Sequence, residues 1–187
     1  MVKPLLQIGS YQEAESYCLI NSQIRALIPH AGSQQLHIDS NVPGNFPYPL
    51  VVIVIVMLDD FTESNGATRI VPYSHKKTTF PVNGMAYDDE ILITGKAGDV
   101  IVINGALWHG SSVNKTNKER WSINIGYGRW FIKPSFDIPR SLPKDIYDQL
   151  DEFQRELLGL RSVPALNDSE RLSRRSVSDY RHWEMKY

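Results

Sequence analysis

Between Tyr17 and about Trp130 the chain is a succession of short runs rich in Val, Ile, Tyr and Trp, each interrupted by Gly, Pro, Asn or Asp. Branched and aromatic side chains suit a pleated, half-buried surface, and the interrupting residues set turns. Short strands at this spacing point to a mainly β sandwich or barrel rather than to alternating βα units. The candidate strands are Ile20–Ile28, Gln35–Asp39, Leu50–Leu58, Thr68–Val71, Ile91–Ile93, Val100–Asn104, Trp108–Val113 and Glu119–Gly128. Turns are expected at Val42-Pro-Gly-Asn, Ser64-Asn-Gly, Gly95-Lys-Ala-Gly-Asp and Asn114-Lys-Thr-Asn. The longest apolar run, Leu50–Leu58, is about half the ~18 residues a membrane span requires, so it reads as a buried strand.

The pattern changes after Pro143. Ile146, Leu150, Phe153, Leu157 and Leu158 recur at helical spacing, with Pro143 in the first turn and Gly159 placed to end the helix. With 187 residues and 42% of them hydrophobic, a single domain is expected. Its core would run over about 17–131, with a flanking helix over about 143–159 and a charged tail over 161–187. The Arg171–Ser176 stretch resembles a phosphorylation site, although a solvated tail is the plainer reading. Lys and Arg total 20 against 21 for Asp and Glu, with no basic stripe, which argues against a nucleic-acid partner. A single Cys18 excludes an internal disulfide, and the opening MVKPLLQIGS lacks the apolar stretch of a signal peptide. A cytoplasmic protein away from membranes is expected; its oligomeric state is left open.

Residues two apart on a strand share a face, so His37 and Asp39 in Gln-Leu-His-Ile-Asp-Ser would project together. One further histidine would complete the two-His-one-carboxylate triad that holds iron(II) with open positions opposite. A lone His-x-Asp is more often a hydrogen-bonded or solvated pair. Here, however, Gly98-Asp-Val-Ile-Val-Ile-Asn reads as a turn and buried strand leading into Leu107-Trp-His-Gly-Ser, which favours His109 as the third ligand. His30 and His75 are rivals that look like turn residues, and His182 lies in the polar tail.

Taking Asn114–Asn117 as a hairpin turn would put Ser111 opposite Arg120 and His109 opposite Ser122. Arg120 would then be aimed with His109, ready to take a carboxylate on its planar fork. The alternative is an arginine beside a turn and facing water, and a register slip of one residue would produce it.

Four segments in order give the chain its resemblance: Gln35-Leu-His-Ile-Asp, Asn65-Gly-Ala-Thr-Arg-Ile-Val-Pro-Tyr-Ser-His, Ala97-Gly-Asp-Val-Ile-Val-Ile-Asn, and Leu107-Trp-His-Gly-Ser followed by Arg120. Over roughly Tyr17–Trp130 the sequence resembles the phytanoyl-CoA dioxygenase family of iron(II)- and 2-oxoglutarate-dependent oxygenases. The resemblance implies a double-stranded β-helix (a jelly roll) with iron in one mouth, held by His37, Asp39 and His109. It implies that Arg120 pairs with the far carboxylate of 2-oxoglutarate, with Ser111 near that carboxylate and Gln35 and Thr68 contacting the cosubstrate. His75 would be structural. Only 36 residues precede His37, so the chain reads as a compact or a truncated member.

The implied reaction spends O₂ to convert 2-oxoglutarate to succinate and CO₂ while oxidising a C–H bond of a small, hydrophobic metabolite. Hydroxylation is the simplest outcome, with desaturation, epimerisation or ring formation as others. Asp39 argues against halogenation, since halogenases of this type carry Ala or Gly there. The rival classes are a non-catalytic jelly-roll binding module that retains the metal site and a zinc hydrolase on the same ligands, which would leave Arg120 and Thr68 unexplained. Tyr48, Trp108, Tyr127 and Trp130 are candidate pocket aromatics, with core packing the alternative for each.

Overall fold

The computed structural model describes residues 2–7, 17–44, 46–159 and 167–169. Arg171–Ser176 and His182 lie outside them. Among the described residues the strands are β1 (Tyr17–Leu27), β2 (Val51–Met57), β3 (Thr68–Ile70), β4 (Ile91–Ile93), β5 (Val100–Asn104), β6 (His109–Ser111) and β7 (Arg120–Arg129). Four make a sheet in the order β1-β7-β2-β5, and three make a second sheet in the order β4-β3-β6. The β2/β5, β3/β4 and β3/β6 pairs are antiparallel. This is the mainly β architecture that the short, turn-punctuated runs predict.

Contacts divide the chain into two compact units, Ser22–Gly126 and a second formed by Met1–Asn21 with Tyr127–Tyr187. In the first, β2 supplies much of the core: Val51, Val52, Ile53, Val54, Ile55 and Met57 are all buried. Burial on both faces explains why the run is continuously apolar rather than alternating. Each such side chain contributes roughly 1.5–3 kcal/mol. A separate cluster of Leu36, Ile38, Val71 and Trp108 packs with Tyr87 at its edge. In the second unit, α1 (Lys3–Leu6), α2 (Ile138–Ser141), α3 (Lys144–Gln149) and α4 (Glu152–Leu157) are all short. No helix among the described residues is long and apolar enough to cross a membrane.

Three expectations need correction. The Gln35–Asp39 strand shrinks to one isolated bridge, His37 with His109. The helix over 143–159 is two helices, because Leu150 is extended and Asp151 starts a new one. The Asp151 carboxylate accepts from the Gln154 N–H at 2.7 Å and the Gln154 side chain accepts from the Asp151 N–H at 2.9 Å, a reciprocal cap that competes with helix continuation. Gly159 does end the second helix, with φ of 87°.

The third correction matters most. β6 and β7 do not form a hairpin: β6 pairs with β3, and β7 lies between β1 and β2 in the other sheet. The Asn114–Asn117 turn itself is present, with the Asn114 side-chain oxygen accepting from the Thr116 N–H at 3.0 Å and its hydroxyl at 2.7 Å. Asn114 is fully buried, and its amide donates to the Leu27, Ile28 and Lys118 carbonyls. These bonds turn the chain from one sheet to the other instead of folding it back on itself.

Candidate metal centre

The His37–His109 bridge brings two imidazoles together that are far apart in sequence. Each backbone N–H donates to the other's carbonyl at 3.0 Å, so the residues form a directly opposed pair with side chains on one face. The ring centroids are 4.4 Å apart. Asp39 follows two residues later, its N–H donating to the Gly105 carbonyl at 2.7 Å. The alternating residues Leu36 and Ile38 turn the other way into the cluster with Trp108. Local polarity thus alternates as a strand would even though no regular strand forms.

One ligand atom from each of His37, Asp39 and His109 lies within 4.8 Å of the others. The Nδ1 atoms of His37 and His109 face the Gln35 and Leu107 carbonyls at 3.1 and 2.9 Å. Carbonyl oxygens only accept, so each Nδ1 carries a proton and each Nε2 is directed at the carboxylate. The Nε2 atoms sit 3.4 Å from Asp39 Oδ1 and Oδ2 respectively. Two neutral imidazoles would direct lone pairs at an anion, an arrangement that requires a cation between them. The hydrogen bond to Asp39 is the largest influence on His37 and raises its pKa against the opposing effect of burial. Burial alone would raise Asp39, but the hydrogen bonds from His109 and His37 outweigh it and hold the carboxyl well below the usual carboxylate range. The donor set fits a divalent transition metal such as iron(II) on this observation.

His30 and His75 are elsewhere. His30 Nε2 pairs with Asn117 Oδ1 at 3.0 Å beside a turn, and His75 sits in a single 3-10 turn over Ser74–Lys76. Ser74, fully buried, accepts from the Trp108 N–H at 2.8 Å, so this turn braces the segment before His109.

Arg120 is only 5% exposed. Its Nη2 donates to the Gly66 carbonyl at 2.9 Å and its Nη1 to Ser122 Oγ at 3.2 Å, while Nε has no partner among the described residues. The guanidinium stacks 4.0 Å over the Phe61 ring. Burial, and then the nearby charge of Arg25, lower its pKa to about 10, which leaves it cationic at neutral pH. No carboxylate pairs with it among the described residues. Burying an unpaired cation costs several kcal/mol, so an arginine held this way marks an anion site.

Gly66 lies two residues before Thr68, and Thr68 is the direct partner of Ser111, with Ile70 opposite His109. Opposed and alternating residues share a face, so Thr68, Ser111 and His109 line one side of the smaller sheet. Both residues are buried. Gln35 is less committed to this face: it is exposed, and its side-chain oxygen accepts from the Gly84 N–H at 3.1 Å. Arg69, a second arginine of the segment, is already paired with Glu90 at 3.0 Å.

Sequence patterns did not single out Phe61 or the Gly66 carbonyl. The Ser64-Asn-Gly turn was a signal for Gly66, whose φ of 87° suits glycine, but nothing local marks its carbonyl as an acceptor. Of the aromatic candidates, Trp108 is core and Trp130 is exposed, whereas Tyr127 packs edge-on against Tyr17. Tyr48 lines a small cavity with Ser40, Phe46 and Ala106.

Comparison with known proteins accords with this geometry. The family model for phytanoyl-CoA dioxygenase (PhyH) matches residues 11–122. "Dioxygenase af480" of Aspergillus fumigatus is 35% identical over 139 residues, covering 72% of this chain and 45% of that protein. "Iron/alpha-ketoglutarate-dependent dioxygenase okaE" of Penicillium ochrochloron is 25% identical over 163 residues, covering 82% of this chain and 53% of the other. The chain therefore spans about half the length of these relatives. Among solved structures, HygX from Streptomyces hygroscopicus with nickel and 2-oxoglutarate bound superimposes with a TM-score of 0.51 at 18% identity. That match covers 64% of this chain and 57% of HygX, and it supports the jelly-roll fold.

Proposed function

Because the chain belongs to the phytanoyl-CoA dioxygenase family, we propose that it carries an iron(II)- and 2-oxoglutarate-dependent oxygenase centre within the unit Ser22–Gly126. His37, Asp39 and His109 hold the iron, and Arg120 takes the far carboxylate of 2-oxoglutarate, with Thr68 and Ser111 lining the same face. The observation that carries this reading is the pairing of two unusual features in one unit. Two Nε2 atoms converge on a shared carboxylate, and a buried arginine with no acid partner lies beside the same small sheet.

When bound, iron(II) with 2-oxoglutarate and O₂ supplies the oxidation of a C–H bond coupled to formation of succinate and CO₂. The chain's own residues bind and orient. The Gln35 and Leu107 carbonyls fix the imidazole tautomers and so keep both Nε2 atoms available. Phe61 covers one face of the Arg120 guanidinium and removes water from it, which strengthens its hold on an anion. Gly66 and Ser122 orient the fork. Asp39 occupies the position where a halogenase would lack a carboxylate, so hydroxylation of a small hydrophobic metabolite is the reaction proposed.

The direct test is succinate formation by protein reconstituted with iron(II) and supplied with 2-oxoglutarate and O₂. Iron-dependent succinate, lost in Asp39→Ala, is the expected result. Hydrolytic activity with zinc and no succinate with iron would replace this reading with a zinc hydrolase.

A further inference from the structure

A second arginine stands beside this centre without a task. Between Ser22 and Ile28 the half-buried positions are Arg25 and Leu27, and their neighbours are exposed. Being two apart on β1, they project to one face. Leu27 shows where that face is directed: its Cδ2 fills the space beside Gly66 that a Cβ would need, and the Gly66 carbonyl holds Arg120. β1 and β7 are neighbours in their sheet, so the two guanidiniums come from adjacent strands. After burial, the charge of Arg25 is the next influence lowering Arg120.

The present partner of Arg25 is weak. Both Nη atoms converge on one neutral oxygen, Gln34 Oε1, at 3.4 Å each, near the long limit of hydrogen bonding. Gln34 is itself fixed beside the site: its carbonyl accepts from Arg69 at 2.6 Å and its N–H donates to the Ser111 carbonyl at 2.9 Å. A carboxylate would offer that fork two charged oxygens instead of one neutral one. No acid pairs with Arg25 among the described residues.

Resting on the function proposed above, we propose that Arg25 anchors a carboxylate of the primary substrate, which is therefore an apolar acid rather than a neutral hydrocarbon. Arg120 is nearly enclosed and serves the cosubstrate. Arg25 remains half exposed, where a molecule arriving after the cosubstrate can reach it.

The test uses octanoate and 1-octanol, alike in apolar tail and different in charge. Each is titrated by calorimetry into anaerobic protein already loaded with iron(II) and 2-oxoglutarate. The parent should bind octanoate about tenfold or more tightly than octanol, the gain expected of a charge-assisted contact. That preference should shrink as salt is raised, a readout that needs no variant. Arg25→Gln should erase it while leaving affinity for 2-oxoglutarate within about threefold, and Arg25→Lys should keep part of it. Equal binding of the two probes by the parent, or a preference surviving in Arg25→Gln, overturns the inference. Loss of 2-oxoglutarate affinity in Arg25→Gln with octanoate unaffected also overturns it, by assigning Arg25 to the cosubstrate. A parent that takes up no 2-oxoglutarate instead removes the function proposed above, and this inference with it.

Discussion

At the scale of single residues, the proposed chemistry depends on which atoms face each other. His37, Asp39 and His109 converge through one backbone bridge, so replacing any of them with Ala should abolish iron binding at the centre while circular dichroism still reports the β-fold. His30→Ala and His75→Ala should retain iron, since neither side chain reaches the cluster. An active His109→Ala beside an inactive His75→Ala would mean that the third ligand is wrongly assigned. Arg120 predicts a different phenotype. Arg120→Lys keeps a charge but loses the fork, and a charge-assisted hydrogen bond is worth about 1.5–3 kcal/mol. Affinity for 2-oxoglutarate should fall roughly ten- to a hundredfold, at ~1.4 kcal/mol per tenfold. Iron affinity, which Arg120 does not touch, should hardly change. Equilibrium titrations of each ligand separate the two effects.

At the scale of elements, some of the site was legible in the sequence and some was not. The i, i+2 spacing correctly placed His37 and Asp39 on one face, because that rule needs only local extended backbone. Arg120 was also placed on the inner side, but through a hairpin that does not exist. Alternation tells which face a residue takes and is silent about which strand lies beside it. Here β6 finds its partner in β3, and Asn114 turns the chain toward the other sheet. The helix expected over 143–159 breaks for a related reason: its apolar spacing continues through Leu150, while the cap at Asp151 acts on the backbone and outweighs the spacing. Asp151→Ala should therefore lower stability by about 0.5–2 kcal/mol in a denaturant titration, without altering iron binding. Gly110 tests the other unit. A Cβ there would stand 3.0 Å from the Gln34 carbonyl and 3.2 Å from that of Gln35, pressing on the backbone just before His37. Gly110→Ala should weaken iron binding although no ligand is changed. Unaltered iron affinity in that variant would show that the segment before His37 adjusts freely.

For the whole molecule, folding and binding are linked. A ligand present at about a hundred times its dissociation constant stabilises the form that binds it by roughly 2.7 kcal/mol. In a chain of this size each kcal/mol corresponds to about 2–4 °C. Iron-loaded protein should thus melt roughly 5–10 °C higher with saturating 2-oxoglutarate than without it, and Arg120→Ala should show little of that shift. The three side chains brought together by the His37–His109 bridge are proposed to hold iron(II) with coordination positions left for 2-oxoglutarate. Titrating 2-oxoglutarate into anaerobic, iron-loaded protein while following the metal-to-ligand absorption band tests this. The band should saturate at one 2-oxoglutarate per iron-loaded chain in the parent and be missing in the His37→Ala, Asp39→Ala and His109→Ala proteins. A parent without the band, or an undiminished band in any of the three variants, would contradict it.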